Sequence, residues 1–185
     1  MRKRLQTFVM VLCVVFSSGY WGANAAQLGK IEIVDPGRGN LKEVRANAYL
    51  DAPVEKVWQV LVHYENYHRF LPRVKTSELN RRKGNMAIAT MRLDLPFPMN
   101  GTWYTNRYIE NPQQKTIEWI MLKGSLKATT GRWKLRSQGK GTAVEYRLRT
   151  DPGIPLIPKA LIDMGTKRTI PEVLKAVEAY ARQLK

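Results

Sequence analysis

The chain has 185 residues, 44% of them hydrophobic and 25% charged, a composition that suits one globular domain and excludes a disordered chain. No glycine period, heptad or internal repeat occurs, which removes collagen-like, coiled-coil and solenoid architectures. Charge is lopsided, with 31 Lys and Arg against 15 Asp and Glu; an anionic partner is one expectation and a merely soluble surface the other. A single cysteine excludes an intramolecular disulfide framework and a zinc–thiolate cluster.

Residues 1–25 read as a signal peptide. Arg2, Lys3 and Arg4 precede the apolar run Phe8–Phe16, then Ser17-Ser18-Gly19 and Ala23-Asn24-Ala25, the order of basic, apolar and small-residue regions in a secretory signal. The run is short of the roughly 20 residues that cross hydrocarbon. An uncleaved anchor that also recruits Leu5, Gly19, Tyr20 and Trp21 is the alternative. Cys13 follows Leu12 rather than a small residue, so lipidation is not expected. Cleavage after Ala25 leaves a cysteine-free, exported protein, periplasmic or secreted, held together by its core alone. Residues 26–41 form an N-terminal extension and 42–185 the folded domain, expected to be a monomer. Export turns the charge argument from nucleic acid toward anionic headgroups, and no RNA-binding signature, zinc-finger spacing or basic block favours nucleic acid.

Val44–Leu50 reads as a strand running into Asp51-Ala52-Pro53. Pro53 suits a first helical turn, and Asp51 and Glu55 place negative charge at the positive end of the helix dipole. Val54, Val57, Trp58, Leu61 and Val62 then recur at helical spacing. Tyr64–Phe70 predicts a second, short helix, stopped by Leu71-Pro72. Six strands follow, Val74–Asn80, Met86–Leu95, Trp103–Glu110, Thr116–Leu122, Thr130–Arg136 and Ala143–Thr150. They are joined through turn signals such as Lys83-Gly84-Asn85, Asn111-Pro112 and Gly139-Lys140-Gly141. Connections this short join antiparallel neighbours. Ile157–Lys185 closes the chain as a helix with the stripe Val173, Leu174, Val177, Ala181 and Leu184, and Pro171 predicts a kink or restart within it.

Alternation assigns the faces of the sheet. Arg147 and Arg149 oppose Tyr146 and Leu148; Lys134 opposes Trp133; Glu118 sends Ile117, Trp119 and Met121 inward; Arg92 and Asp94 oppose Met91 and Leu93. This is an antiparallel sheet with one apolar face. Trp103–Glu110 stays ambiguous, because either parity puts Arg107 or Asn106 inside.

The segment Asp51-Ala52-Pro53-Val54-Glu55-Lys56-Val57-Trp58, followed by Tyr64-Glu65-Asn66-Tyr67 and Phe70-Leu71-Pro72-Arg73-Val74, resembles the opening of the START/Bet v-like helix-grip (SRPBCC) superfamily. The similarity is strongest to its polyketide cyclase/dehydrase or coenzyme-Q-binding branch. Gly131-x-Trp133 and Asp151-Pro152-Gly153-Ile154-Pro155 resemble the same branch, and the likeness extends over about residues 42–184. It implies an α+β fold of order β-α-α-β6-α, a curved antiparallel sheet wrapped around the long C-terminal helix with an internal hydrophobic cavity. The residues expected to line that cavity are Met91, Leu93, Trp119, Met121, Trp133, Tyr146 and Leu148 from the sheet and Leu161 and Met164 from the last helix.

In a meander every second connection lies at one end, so Leu95–Gly101, Lys123–Thr129 and Thr150–Lys159 share an edge. Phe97, Leu156 and Ile157 sit there in Pro-stiffened apolar loops beside Lys123, Lys127 and Lys159. Two readings remain open: a rim that meets an anionic bilayer, or lids folded over the core. His63 and His68 are spaced by five residues, which does not align a metal pair on one helix face. No nucleophile, nucleotide-binding or zinc-protease motif occurs, and no cofactor is expected. Asp94, Arg107 and Glu118 could form a polar cluster at the cavity, and a catalytic acid or base would have to be Arg107, Tyr104 or Tyr108. The expected function is therefore an exported carrier of a lipid, quinone or sterol-like molecule. The alternatives are a polyketide cyclase/aromatase-type enzyme and a protein-interaction module with a filled cavity.

Overall fold

The computed structural model describes residues 27–34, 42–153 and 168–184. The proposed signal peptide lies outside them, as do Leu156, Ile157, Lys159, Leu161 and Met164. In chain order the elements are β1 (Gln27–Val34), β2 (Lys42–Leu50), α1 (Val54–Val62), a single tight turn of helix (Tyr64–Asn66) and α2 (Tyr67–Phe70). Then come β3 (Val74–Lys83), β4 (Met86–Leu93), β5 (Trp103–Asn111), β6 (Thr116–Gly124), β7 (Ala128–Gln138), β8 (Gly141–Asp151) and α3 (Ile170–Gln183).

The strands form one antiparallel sheet in the order β1-β2-β8-β7-β6-β5-β4-β3. The predicted six-strand meander is present, and β2 closes it by pairing with β8 from Lys42↔Thr150 to Leu50↔Thr142. The fold is the expected helix-grip. One element is additional: β1 adds an edge strand to β2, where the sequence reading had an extension outside the domain. The expected second helix is also split, because Tyr64–Asn66 winds more tightly than the α-helical turn after it.

The helices are held on the apolar face by the stripes the sequence predicted. Val57, Trp58, Val60 and Leu61 of α1 are buried, and so are Ile170, Leu174, Val177 and Ala181 of α3. Small residues of the sheet, Ala46 and Ala48 in β2 and Ala87 and Ala89 in β4, complete the same core. Phe70 stacks on Tyr180 with centroids 4.4 Å apart, joining α2 to α3, and Lys56 Nζ donates to the Leu184 carbonyl at 2.6 Å. Pro171 lies in the first turn of α3, a position proline tolerates, just after a π-helical turn at Arg168 and Thr169.

Two local features shape the sheet. A register shift between β5 and β6 at Thr105/Asn106 buries two successive residues, Thr105 and Asn106, and a bulge of this kind bends a strand and sharpens its twist. At Gly131 in β7, opposite Trp119 in β6, an added Cβ would sit 2.1 Å from Trp119 Cζ2 and 2.5 Å from the Arg147 carbonyl oxygen. Gly131 is therefore the floor on which the Trp119 indole lies.

Candidate functional site

A cavity of about 360 Å³ lies between the apolar face of the sheet and α2 and α3, within the size range of small-molecule pockets. Its sheet wall carries Met91 and Leu93 from β4, Trp119 from β6, Trp133 from β7 and Tyr146 and Leu148 from β8. Opposite them stand Tyr67 of α2 and Ile170 and Val173 of α3. Met121, also expected on the wall, is not among the lining residues; it pairs with Asn106 next to the register shift, at the point where strict alternation breaks down.

The wall is aromatic because adjacent strands place rings side by side. Trp133 and Tyr146 are cross-strand partners with centroids 4.3 Å apart, and Tyr146 also stacks with Trp119 at 6.0 Å. Tyr108 stacks on the buried Tyr64 at 4.0 Å. Behind that pair, the Tyr64 hydroxyl donates to Glu110 Oε1 at 3.0 Å. Arg82 Nη1 donates to both oxygens of the same carboxylate, at 2.9 and 2.8 Å.

Polar groups on the cavity wall are few. The Tyr67 hydroxyl is spent on the Leu61 carbonyl at 2.6 Å. Asn106 Nδ2 donates to the Tyr108 hydroxyl at 3.3 Å, while Asn106 Oδ1 is buried with no partner. Burial pushes the Tyr104 phenol up to about 12. Burial, reinforced by neighbouring tyrosines, raises Tyr67, Tyr108 and Tyr146 as well. These phenols stay protonated at neutral pH, serving as hydrogen-bonding groups rather than bases. Among the described lining residues there is no carboxylate, imidazole, thiol or amine.

The polar cluster expected from Asp94, Arg107 and Glu118 does not form, since all three side chains are exposed. Arg107 pairs with Ile88 and Ile120 on the outer face, and Asn106 takes the inward position, which resolves the ambiguous strand. The histidines are exposed too, His63 Nδ1 lying 2.7 Å from the Gln59 carbonyl and His68 Nδ1 2.9 Å from Ser77 Oγ.

One end of the cavity is bounded by Leu71, Pro72, Arg73, Leu95, Met99, Leu126 and Pro152, where the β4–β5 and β6–β7 connections meet the end of β8. The β4–β5 connection divides its side chains. Leu95 and Met99 face the cavity, whereas Phe97 is 86% exposed. The turn is held by the Met99 amide donating to the Pro96 carbonyl at 2.8 Å and Thr102 Oγ1 donating to the Met99 carbonyl at 2.6 Å. Lys123 and Lys127 are exposed at this end, Lys127 Nζ lying 3.6 Å from Asp151 Oδ2.

Sequence reasoning missed Arg73 and Asn106 as cavity residues. Asn106 was weighed as one of two parities; Arg73 stood inside a recognised motif but gave no pattern signal of its own.

A family model described as polyketide cyclase / dehydrase and lipid transport matches residues 50–178. Comparison with curated proteins finds no significant match. Among solved structures, the chain is similar to a STAR-related lipid transfer protein from Xanthomonas axonopodis (20% identity, 86% of this chain and 100% of that one, TM-score 0.71). It is also similar to the Zhui aromatase/cyclase from a Streptomyces species (17% identity, 77% and 94%, TM-score 0.66). A third similar structure is a START superfamily protein from Mycobacterium smegmatis (15% identity, 77% and 99%, TM-score 0.65). At these identities the likeness shows the fold.

Proposed function

Because the chain belongs to the polyketide cyclase / dehydrase and lipid transport family, we propose that it is an exported carrier which holds a lipid, quinone or sterol-like molecule between its sheet and its last helix. The observation that carries this reading is the cavity itself: about 360 Å³, walled by Trp119, Trp133, Tyr146, Met91 and Leu148. Burying ~300 Å² of apolar ligand surface there would gain roughly 7.5 kcal/mol at 25 cal/mol per Å² before association losses. Export rests on residues 1–25. Docking on anionic membranes is supported by Phe97, exposed at the same end as Lys123 and Lys127, a hydrophobic tip with cations beside it.

Native mass spectrometry of the mature protein from the exported fraction, followed by solvent extraction, tests the proposal. A stoichiometric hydrophobic adduct is expected, and Leu148→Trp, which fills the cavity, should lose it while remaining folded. A ligand-free spectrum, with no uptake from anionic liposomes, would refute carriage.

A cyclase is the second reading, favoured by the Asn106–Tyr108 pair facing the cavity and by the fold of the aromatase/cyclase neighbour. It predicts a bound polyketide that is converted to a ringed product rather than released unchanged. The third alternative, an interaction module, required a filled interior and is not favoured by a cavity of this size.

A further inference from the structure

Arg73 is the one cation on the described cavity wall, and three observations set it apart. Its backbone takes φ +63°, the left-handed region that a residue with a side chain seldom occupies unless its surroundings hold it there. Here the hold is visible, since the Asp94 amide donates to the Arg73 carbonyl at 2.8 Å. The residue is half-buried and lines the end of the cavity together with Leu71, Pro72, Leu95 and Met99. Finally, Arg73 Nε is buried with no hydrogen-bond partner, and among the described residues no carboxylate pairs with the guanidinium. A buried donor left unmade is unfavourable, and more so on a charged group. Positive charge therefore gathers at this end, where Lys123 and Lys127 also stand exposed.

We infer that the cavity takes an amphiphile with an acidic headgroup, its apolar chain against Trp119 and Trp133 and its carboxylate or phosphate on Arg73. The inference rests on the carrier reading and adds to it the head chemistry and the direction in which the ligand lies. A guanidinium fork pairs two N–H groups with two oxygens of a carboxylate or phosphate. A sterol or a quinone, lacking charge, would leave that pairing unmade.

The test is calorimetric titration of the mature protein with dodecanoate, dodecyl phosphate, dodecanol, acetate and inorganic phosphate. Wild type should bind an acidic probe about ten- to hundred-fold more tightly than dodecanol, the range expected of a charge-assisted pair. Arg73→Asn removes the charge, keeps a residue that tolerates positive φ, and should erase the preference of the acidic probes over dodecanol. Arg73→Lys should restore part of it. Equal affinity of wild type for dodecanol and both acids would overturn this inference and leave the carrier reading standing. Failure of every chain-bearing probe would overturn both. Binding of acetate or phosphate as tightly as of the dodecyl acids would also overturn it, by making the chain irrelevant. Should Arg73→Asn not fold, the wild-type comparison of dodecanol with the acids decides alone.

Discussion

Gly131→Ala tests whether the cavity wall is built as described. The new methyl would lie 2.1 and 2.5 Å from Trp119 Cζ2 and Cη2 and 2.5 Å from the Arg147 carbonyl oxygen. The first two contacts can be relieved by moving the indole toward the cavity; the third involves backbone of the paired strand β8 and cannot. Overpacking of this kind costs about 1–3 kcal/mol, and the backbone contact places Gly131→Ala in the upper part, at about 2–3 kcal/mol. For a chain of this size that lowers Tm by roughly 4–10 °C. Urea denaturation of four proteins, wild type, Gly131→Ala, Trp119→Ala and the double variant, measures the cost and its origin. In the Trp119→Ala background the alanine should cost about 1 kcal/mol less, a coupling typical of touching residues. Strict additivity, or a Gly131→Ala cost below about 0.5 kcal/mol, would refute the account of Gly131 as the floor beneath Trp119.

Glu43 is 1% exposed and ion-paired with Arg45 and Arg149. Burial acts to raise its pKa, but the two arginines outweigh burial and hold the carboxyl below its usual 4.5. The stability it contributes is therefore present above about pH 4.5 and lost as pH falls through the lower folded value. Glu43→Gln should be less stable than wild type at neutral pH and show a shallower acid decline, measured by denaturation from pH 7 to about pH 3. Glu178 behaves oppositely: burial raises it, and its Oε2 has no partner. Its contribution is complete below 4.5 and lost as pH rises through the folded value. Glu178→Gln should thus gain stability at neutral pH and none below pH 4.5, by the same titration of denaturation curves. Tyr64→Phe removes one donor from Glu110 and should cost about 1 kcal/mol, whereas Arg82→Ala removes the two-pronged partner and should cost about 2–3 kcal/mol. Equal costs in thermal denaturation would contradict that ranking.

Much of the fold was legible because strand alternation is a local property. In β8 each residue's neighbours two places away share its character, so Tyr146 and Leu148 could be put on one face from the sequence alone. In β5 the register shift at Thr105/Asn106 buries consecutive residues, which no period-2 pattern encodes; the same shift left Met121 off the wall. β1 was missed because Gly29 interrupts the alternation of Gln27–Val34, a short edge strand with one neighbour. The candidate site was legible as an apolar face but not as a polar one. Whether Arg73 is a surface cation or a cavity cation depends on a backbone angle, and Asn106 needed the position of its strand.

The pairing of β2 with β8 dictates an order of events. Glu43 meets Arg149 across a sequence separation of 106 residues, and neither β1 nor β2 has any other route into the meander. As the chain emerges from its amino end, the hairpins from β3 to β8 can form in sequence, each from residues already made. The two leading strands must wait, edges unpaired, until β8 is available. Closing so long a loop is slow relative to hairpin formation, so the last sheet contact to form joins the oldest part of the polypeptide to nearly the newest. A chain cut anywhere before β8 would leave the β1–β2 ribbon with the β2 edge unpaired and aggregation-prone.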